Sequence, residues 1–342
     1  MKALLTPSTH KHFAALSGIL LFINACTLTP QADTASPQVY KLATAYDYQL
    51  LNNAYQPVSL TQLATDVKDT DVVFIGEYHR NQASHLLQMQ LFAMLHQLNQ
   101  KSDRSLLLTM EMFERDQQSI VNDYLSSRVG ERYLIEKAPA WINYQSSYRP
   151  LVEYAKQNSI LVIAANAPGN IIRCIGRKGS DYITKLTPQE RGMIATQPFA
   201  EVPHYADKFF GLMGQSKHSS GKRIKQSYLA QLTRDNTMAE SIAKALKNSP
   251  DAQAIHLNGS FHSAGHLGAA GALKRINPAL RIAVITPIHY DELTKFKQEN
   301  KHGNDFYYLL NSQPKEFVDK SYMMESRKAM FDKAKEKAKL CK

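Results

Sequence analysis

Five short runs of apolar residues divide the chain, and each is nearly continuous rather than alternating with polar residues. Such runs are typical of strands that are buried on both faces of a sheet. They occupy residues 72–75, 106–110, 160–164, 254–257 and 282–285. Longer polar stretches separate them, and residues 84–98 place Leu87, Leu91 and Leu95 at helical spacing. Alternating strands and helices predict an α/β fold, with a mostly parallel sheet flanked by helices.

Residues 180–248 break this alternation because they contain no strand-like run. Thr187 and Pro188 predict the start of a helix, since a capping threonine precedes proline at the first helical position. A longer helix is predicted over about residues 222–247. We therefore expect a small inserted all-helical subdomain. The predicted boundaries are 180–248 for this insert, and 41–179 with 249–342 for the α/β domain.

The amino-terminal end has the pattern of an export signal. Lys2 and Lys11 precede or flank an apolar run, residues 13–23, which is shorter than the roughly 20 apolar residues that span a bilayer. Ala25 and Cys26 follow this run and resemble the cleavage site of bacterial lipoproteins. We therefore predict a lipoprotein signal peptide at 1–25 and a tether at 26–40.

This resemblance implies that Cys26 carries lipid, including palmitate, and anchors the chain to a membrane. Thr27 follows the cysteine, which favours the outer membrane of a Gram-negative cell envelope. The alternative is an ordinary signal peptide that is cut elsewhere, with Cys26 incidental.

The chain is basic, with a formal net charge of +11. Basic residues concentrate in a predicted helix at 315–339, which follows a predicted edge strand at 305–310. A solvated basic face explains this helix, and docking on an anionic membrane is the alternative. We find no nucleic-acid-binding motif and expect no nucleic-acid partner. With Cys26 modified, Cys174 and Cys341 remain, and we expect no essential disulfide because Cys341 lies at the chain end.

Candidate chemistry lies at the ends of the predicted strands. Glu77 and His79 follow the first run, Glu111 follows the second, and His262 follows the fourth. Because ligands of parallel sheets bind outside the carboxyl ends of the strands, these side chains are expected to converge. Imidazoles and carboxylates either bind a divalent metal or form a catalytic acid–base set. Each histidine taken alone is more simply a hydrogen-bonded structural residue.

Several motifs together resemble the ChaN-like family of haem-binding bacterial lipoproteins, which is related to the Tiki, TraB and erythromycin-esterase superfamily. The motifs are Gly76-Glu77-x-His79, Met110-Glu111-Met112, Trp141-x-x-Tyr144-x-x-x-Tyr148-x-Pro150, Arg234-Asp235-x-x-Met238-Ala239 and Gly259-Ser260-Phe261-His262. The resemblance covers about residues 60–290. It implies a parallel-sheet domain with a small helical domain, and haem as ligand.

A haem carrier often holds ferric iron through tyrosinate, and the axial ligand strongly affects the iron. Tyr205 is the preferred candidate, with His204 and Lys208 as contacts for the haem propionates. Tyr78 is a further candidate for haem contact. The remaining alternatives are Tyr144, Tyr148 and Tyr228 as ligands, and His218 as a propionate contact. Ordinary packing of an aromatic helix explains the segment around Tyr205 equally well.

The first functional hypothesis is an envelope-anchored lipoprotein that binds haem and takes part in haem and iron uptake. Its expected partners are a haem receptor or transporter, and a second copy of the chain when haem is bound. The second hypothesis is a metal-dependent hydrolase, a protease or esterase. It would use Glu77, His79, Glu111 and His262 as metal ligands or as catalytic groups. The third is a structural envelope lipoprotein without either activity.

Overall fold

The structure is a computed structural model, and it describes residues 42–139, 141–212, 214, 221–299 and 303–341. The predicted signal peptide, Cys26 and the tether lie outside these residues, as does His218. None of the helices in the described part is long and apolar enough to cross a membrane.

A single sheet of seven strands runs through the described residues. The strands are β1 (Tyr48–Asn52), β2 (Val72–Glu77), β3 (Leu106–Glu114), β4 (Leu161–Asn166), β5 (Gln253–Gly259), β6 (Ile282–His289) and β7 (Phe306–Leu310). Their order across the sheet is β1-β7-β6-β2-β5-β3-β4. Neighbouring strands are parallel except at β1, which pairs antiparallel with β7. The structure confirms the predicted α/β class and its mostly parallel sheet.

Helices cover both faces of the sheet. They are α1 (Leu60–Val67), α2 (Gln82–Gln100), α3 (Gln118–Leu125), α4 (Glu131–Lys137), α5 (Arg149–Gln157), α6 (Gly169–Lys178), α7 (Pro188–Gly192), α8 (Tyr205–Leu212), α9 (Lys222–Asn248), α10 (Gly268–Ile276), α11 (Leu293–Glu299) and α12 (Lys320–Ala338). The expected cap of α7 is present, because the Thr187 side chain accepts a hydrogen bond from the backbone N–H of Glu190.

One face of the sheet packs against α1, α2 and α5. The leucines that the periodicity singled out on α2, Leu87, Leu91 and Leu95, are completely buried there. Each such side chain, when fully buried, stabilises the fold by roughly 1.5–3 kcal/mol. The helical periodicity of residues 84–98 therefore identified the buried face of α2.

The other face packs against α8, α9 and α10. Leu232, Met238 and Ile242 of α9 join one hydrophobic core with Val72 and Phe74 of β2. All described residues belong to one compact unit. The longest helix of segment 180–248, α9, thus shares a core with the sheet. The boundaries predicted for an inserted subdomain stay a prediction.

The expectation about the cysteines needs correction. Cys174 on α6 and Cys341 beyond α12 are joined by a disulfide, with their Cα atoms 5.3 Å apart. The chain end after α12 therefore lies against α6 and is buried at Cys341. Position in the sequence gave no sign of this pairing, because only the path of α12 brings the two cysteines together.

Candidate functional site

The carboxyl ends of β2, β5 and β3 lie side by side, and the four predicted site residues converge there. Glu77 is the last residue of β2 and is in register with Gly259, the last residue of β5. Glu111 lies on β3, the other neighbour of β5. His262 ends a single 3-10 turn that directly follows β5. The parallel register thus confirms that side chains from three distant parts of the sequence share one rim.

Glu77 is buried and all its described partners donate to it. Its Oε1 accepts hydrogen bonds from the Tyr148 hydroxyl at 2.6 Å and from Nδ1 of His79 at 2.8 Å. Its Oε2 accepts one from the Gln88 amide at 2.8 Å. A buried carboxylate is tolerated only when it is bonded in this way. Glu77 therefore acts as an anchor that fixes the orientation of the His79 ring.

His79 is the more open of the two histidines, with 45% of its side chain exposed. Its ring packs edge-on against Trp141, with centroids 4.7 Å apart. It also lies over Gly259, where an added Cβ would come within 2.7 Å of Nε2. Burial disfavours the charged ring, but the hydrogen bond to Glu77 and the charge of Glu111 outweigh it and raise the pKa of His79.

His262 lies between two carboxylates. Its Nδ1 is 2.6 Å from Oδ1 of Asp235, and its Nε2 is 3.3 Å from Oε1 of Glu111. Asp235 also accepts a hydrogen bond from the Tyr205 hydroxyl at 2.6 Å, and Glu111 accepts one from the backbone N–H of Gly259 at 2.7 Å. A continuous buried chain therefore runs from Tyr205 through Asp235 and His262 to Glu111.

This arrangement sets the protonation of the buried chain. Burial opposes charge on both His262 and Glu111, but their mutual attraction, together with Asp235, outweighs it. The pKa of His262 is therefore raised and the pKa of Glu111 is lowered. Because both ring nitrogens of His262 face a carboxylate, the surroundings favour its charged form.

The role of Glu77, His79, Glu111 and His262 as metal ligands stays a prediction. Among the described residues, no group of three or more His, Cys, Asp or Glu side chains has the geometry to hold a metal ion. Glu77 and His79 bond to each other, and Glu111 and His262 do likewise. Each imidazole faces a carboxylate directly, so the four side chains are arranged as two imidazole–carboxylate pairs.

An open pocket of about 440 Å³ lies over this rim, and we call it the first pocket. It is lined by Glu77, Tyr78, His79, Phe209, Leu212, Gln231, Gly259, Ser260, Phe261 and His262. A second pocket of about 420 Å³ is lined by His79, Arg80, Trp141, Ile142, Asn143 and Glu316. His79 lines both pockets, so the two pockets are adjacent at this residue.

The structure argues against Tyr205 as the iron ligand. Its side chain is completely buried, and its hydroxyl donates to Asp235 and accepts from the Gln231 amide at 3.1 Å. Burial, followed by the charge of Asp235, raises its pKa well above the usual value, which disfavours the tyrosinate. The sequence placed this tyrosine near the site correctly but could not show that it faces inward.

The two neighbours of Tyr205 do not line the first pocket either. Lys208 donates through Nζ to the backbone carbonyls of Phe261 and Ala264, at 2.9 and 2.8 Å, and burial lowers its pKa to about 8. It therefore holds the turn after β5 in place. His204 is exposed at the start of α8, outside the residues that line either pocket.

Tyr78 is the one predicted tyrosine that lines the first pocket. It is half-buried and stacks on His289, with ring centroids 4.4 Å apart. Tyr144, Tyr148 and Tyr228 are all buried. The structure therefore brings Tyr78 and His79, two neighbours in sequence, to the pocket wall.

Sequence reasoning did not single out Asp235, Gln231 or Arg80 as site residues. Asp235 and Gln231 are four residues apart on α9, which places both on the helix face that meets His262. This spacing was visible in the sequence, but nothing in it showed which face of α9 meets the rim. Arg80 is adjacent to His79 and could have been found by following the turn after β2.

The family profile described as haem-binding uptake, Tiki superfamily, ChaN matches residues 63–273. This segment includes every strand that contributes to the rim and covers more than half of the chain. The chain belongs to the ChaN family.

This ChaN-family chain resembles solved structures of other proteins. It is similar to a solved structure of ChaN from Campylobacter jejuni that binds haem cofacially, with a TM-score of 0.57 and 12% identity, over 78% of this chain and 98% of that one. An erythromycin esterase mutant in its open conformation gives a TM-score of 0.44 and 12% identity, over 80% and 99% of the two chains.

A curated plant protein, RETICULATA-RELATED 5 of Arabidopsis thaliana chloroplasts, is 27% identical over 123 residues. The match covers 35% of this chain and 16% of that protein, so the chain spans a small part of that relative.

The first pocket of this ChaN-family chain has the composition of a haem site. Phe209, Leu212 and Phe261 supply apolar walls, and Tyr78 and His79 supply an oxygen and a nitrogen donor. Ligand pockets are generally apolar with a few polar groups, and both phenol and imidazole serve as axial ligands of haem iron. The residues present therefore fit haem.

Proposed function

We propose that this chain binds haem at the rim formed by β2, β5 and β3 and takes part in haem and iron uptake at the cell envelope. The observation that carries the proposal is the first pocket, in which aromatic and aliphatic walls surround Tyr78 and His79 in a member of a haem-binding uptake family. Haem is the cargo, and it brings its own iron, so the chain has to bind, orient and release it.

Tyr78 and His79 are the residues that would hold the iron. Burial, and then the charge of Glu292, raise the pKa of Tyr78 to about 12, so its phenol is protonated when no iron is bound. His79 is oriented by its hydrogen bond to Glu77, a carboxylate–imidazole arrangement that is common behind metal-bound histidines. Phe209, Leu212 and Phe261 would exclude water from the porphyrin face.

Haemin titration into the purified full chain, followed by the visible spectrum, tests this proposal. We expect a saturable Soret band, and a changed spectrum in Tyr78→Phe, in His79→Ala or in both. Tyr133→Phe is the matched control, because Tyr133 lies on α4, is 45% exposed and lines neither pocket. A spectrum that responds to Tyr205→Phe but to neither rim variant would place haem elsewhere.

We further propose that lipid on Cys26 anchors the protein to the outer membrane of a Gram-negative cell. The apolar segment that ends in Ala25-Cys26, with a polar tether after it, supports this proposal. Metabolic labelling with a palmitate analogue should mark the wild type and not Cys26→Ser, and only the wild type should fractionate with membranes. Labelling of the Cys26→Ser protein would refute lipidation at this position.

The expected protein partners are a second copy of the chain and a haem receptor or transporter. Leu212 is 70% exposed beside the first pocket, and Ile142 is 92% exposed beside the second, so apolar surface is available for a partner. Sedimentation velocity with and without haemin should show a haem-dependent dimer. A monomer at saturating haemin would remove the dimer from this proposal.

A second candidate function, hydrolysis of an ester or peptide, is favoured by the Glu77–His79 pair. The half-exposed imidazole is oriented by a carboxylate, as in many acid–base catalysts. A chromogenic ester assayed with and without added Zn²⁺ or Mn²⁺ tests it. Turnover that is lost in His79→Ala would support the hydrolase, whereas equal rates in the wild type and His79→Ala would exclude it.

A further inference from the structure

His79 is the one residue, among the described residues that line the two pockets, that both pockets share. The first pocket lies on its Phe261 and Phe209 side, and the second lies on its Trp141 side. Each pocket is open, and each has a volume above 400 Å³. A ligand that reaches His79 in the first pocket is therefore adjacent to the second pocket.

Each of the two pockets has a large exposed apolar side chain. Leu212 lines the first pocket and Ile142 lines the second, with 70% and 92% of their surfaces exposed. Trp141 adds an aromatic face beside His79. A broad, flat ligand would cover apolar surface in both pockets. A small ligand confined to one pocket would leave the apolar surface of the other pocket in water.

Positive charge is scarce in these pockets. Arg80 is the only lysine or arginine among the described residues that line either one. It is exposed, and no hydrogen bond or ion pair joins it to another described residue. Lys208 lines neither pocket, and its ammonium already donates hydrogen bonds to two backbone carbonyls. The acidic residue of the second pocket is Glu316.

We infer that the second pocket receives the carboxylate-bearing edge of the porphyrin, and that the Arg80 guanidinium binds a propionate there. This inference rests on the proposed haem function and names the residue that recognises the acid groups of the ligand. Arginine suits this task because its planar fork can donate two parallel hydrogen bonds to one carboxylate. Glu316 lies in the same pocket and opposes the same carboxylate, so it limits the affinity.

Iron-free protoporphyrin IX and its dimethyl ester provide the test, because neither depends on the iron ligand. Binding can be followed by quenching of Trp141, the single tryptophan of the chain. We expect Arg80→Gln to weaken binding of the diacid by roughly three- to tenfold and to leave the ester unchanged. The affinity of Arg80→Lys for the diacid should lie between those of the wild type and Arg80→Gln. Lysine keeps the positive charge but cannot donate two parallel hydrogen bonds to one carboxylate.

Two further variants complete the design. Arg132→Gln is the matched control, since Arg132 on α4 is 93% exposed and lines neither pocket, and it should bind both ligands like the wild type. Glu316→Gln should tighten binding of the diacid by up to about threefold, with no change for the ester.

The outcomes separate this inference from the function on which it rests. Equal losses for diacid and ester in Arg80→Gln would overturn the inference, because they would show that Arg80 contributes packing only. Unchanged diacid binding in Arg80→Gln would overturn it as well, while a normal Soret titration would leave the haem function intact. If the wild type binds neither haemin nor protoporphyrin IX, the proposed function fails too.

Discussion

His79 and His262 follow neighbouring strands and both contact a glutamate, yet they differ in almost every physical respect. His79 has one carboxylate partner and a side chain that is 45% exposed. His262 has two carboxylate partners and a side chain that is 9% exposed. Similar sequence motifs at one rim therefore serve different purposes: His79 is accessible from the pockets, and His262 is an internal support.

The largest loss of stability is expected when the buried contacts of His262 are removed. Asp235→Ala would leave the His262 ring and the Tyr205 hydroxyl without their shared partner. We expect the free energy of unfolding to fall by about 3–5 kcal/mol, as it does when one side of a buried ion pair is removed. Urea denaturation measures this change. Asp207→Ala, at an exposed position on α8, should change stability by less than about 0.5 kcal/mol. Equal losses of stability in Asp235→Ala and Asp207→Ala would contradict the supporting role of the buried chain around His262.

Tyr205→Phe removes one hydrogen bond from the same buried chain. The bond is made to a carboxylate, so we expect a loss of roughly 1.5–3 kcal/mol with no change in the haem spectrum. Tyr144→Phe is the matched control, because the buried Tyr144 hydroxyl has no hydrogen-bond partner within the described residues. It should cost less stability than Tyr205→Phe in the same denaturation assay, and the reverse order would refute the role of the Asp235 contact.

Gly259→Ala tests the position of His79, the more exposed of the two histidines. The added Cβ would lie 2.7 Å from the His79 ring, so the ring has to shift from its present position. Because His79 is half-exposed and can shift, we expect a loss of only about 1 kcal/mol, together with weaker haemin binding. Gly192→Ala, where nothing lies within 4 Å of the new Cβ, should affect neither. Normal haemin affinity in Gly259→Ala would show that the position of His79 does not matter for binding.

The smallest effect is expected from His79→Gln, which should lower stability by less than about 1 kcal/mol because solvent screens the partly exposed pair. The pKa of His79 is raised on folding, so its contribution is complete below the ordinary value of 6.5 and is lost as pH rises through the raised value. Stability measured at several pH values should therefore show the wild type and variant converging at alkaline pH. A difference that grows with pH would contradict this sign.

The sequence was most informative where burial left a continuous apolar pattern. Five strands, β2 to β6, were predicted from such runs, and β2, β3, β5 and β6 lie inside the sheet under helices on both faces. The fifth, β4, lies at the edge of the sheet, but most of its side chains are buried. Strand β1 was missed because Tyr48–Asn52 is short and mixed, with its two leucines buried and its ends half-exposed. Its place in the sheet depends on antiparallel pairing with β7, more than 250 residues away.

For the site, the strand pattern was enough to predict that Glu77, His79, Glu111 and His262 meet at one rim, since parallel strands end on the same side of the sheet. The way they are paired depends on how the helices pack against that rim. Asp235 lies within a 27-residue helix, and its role depends on which face of α9 turns toward His262. Tyr205 faces inward because α8 packs against α9, where its hydroxyl meets Asp235. Side-chain burial and pairing follow from packing between distant segments, and a linear pattern does not contain that information.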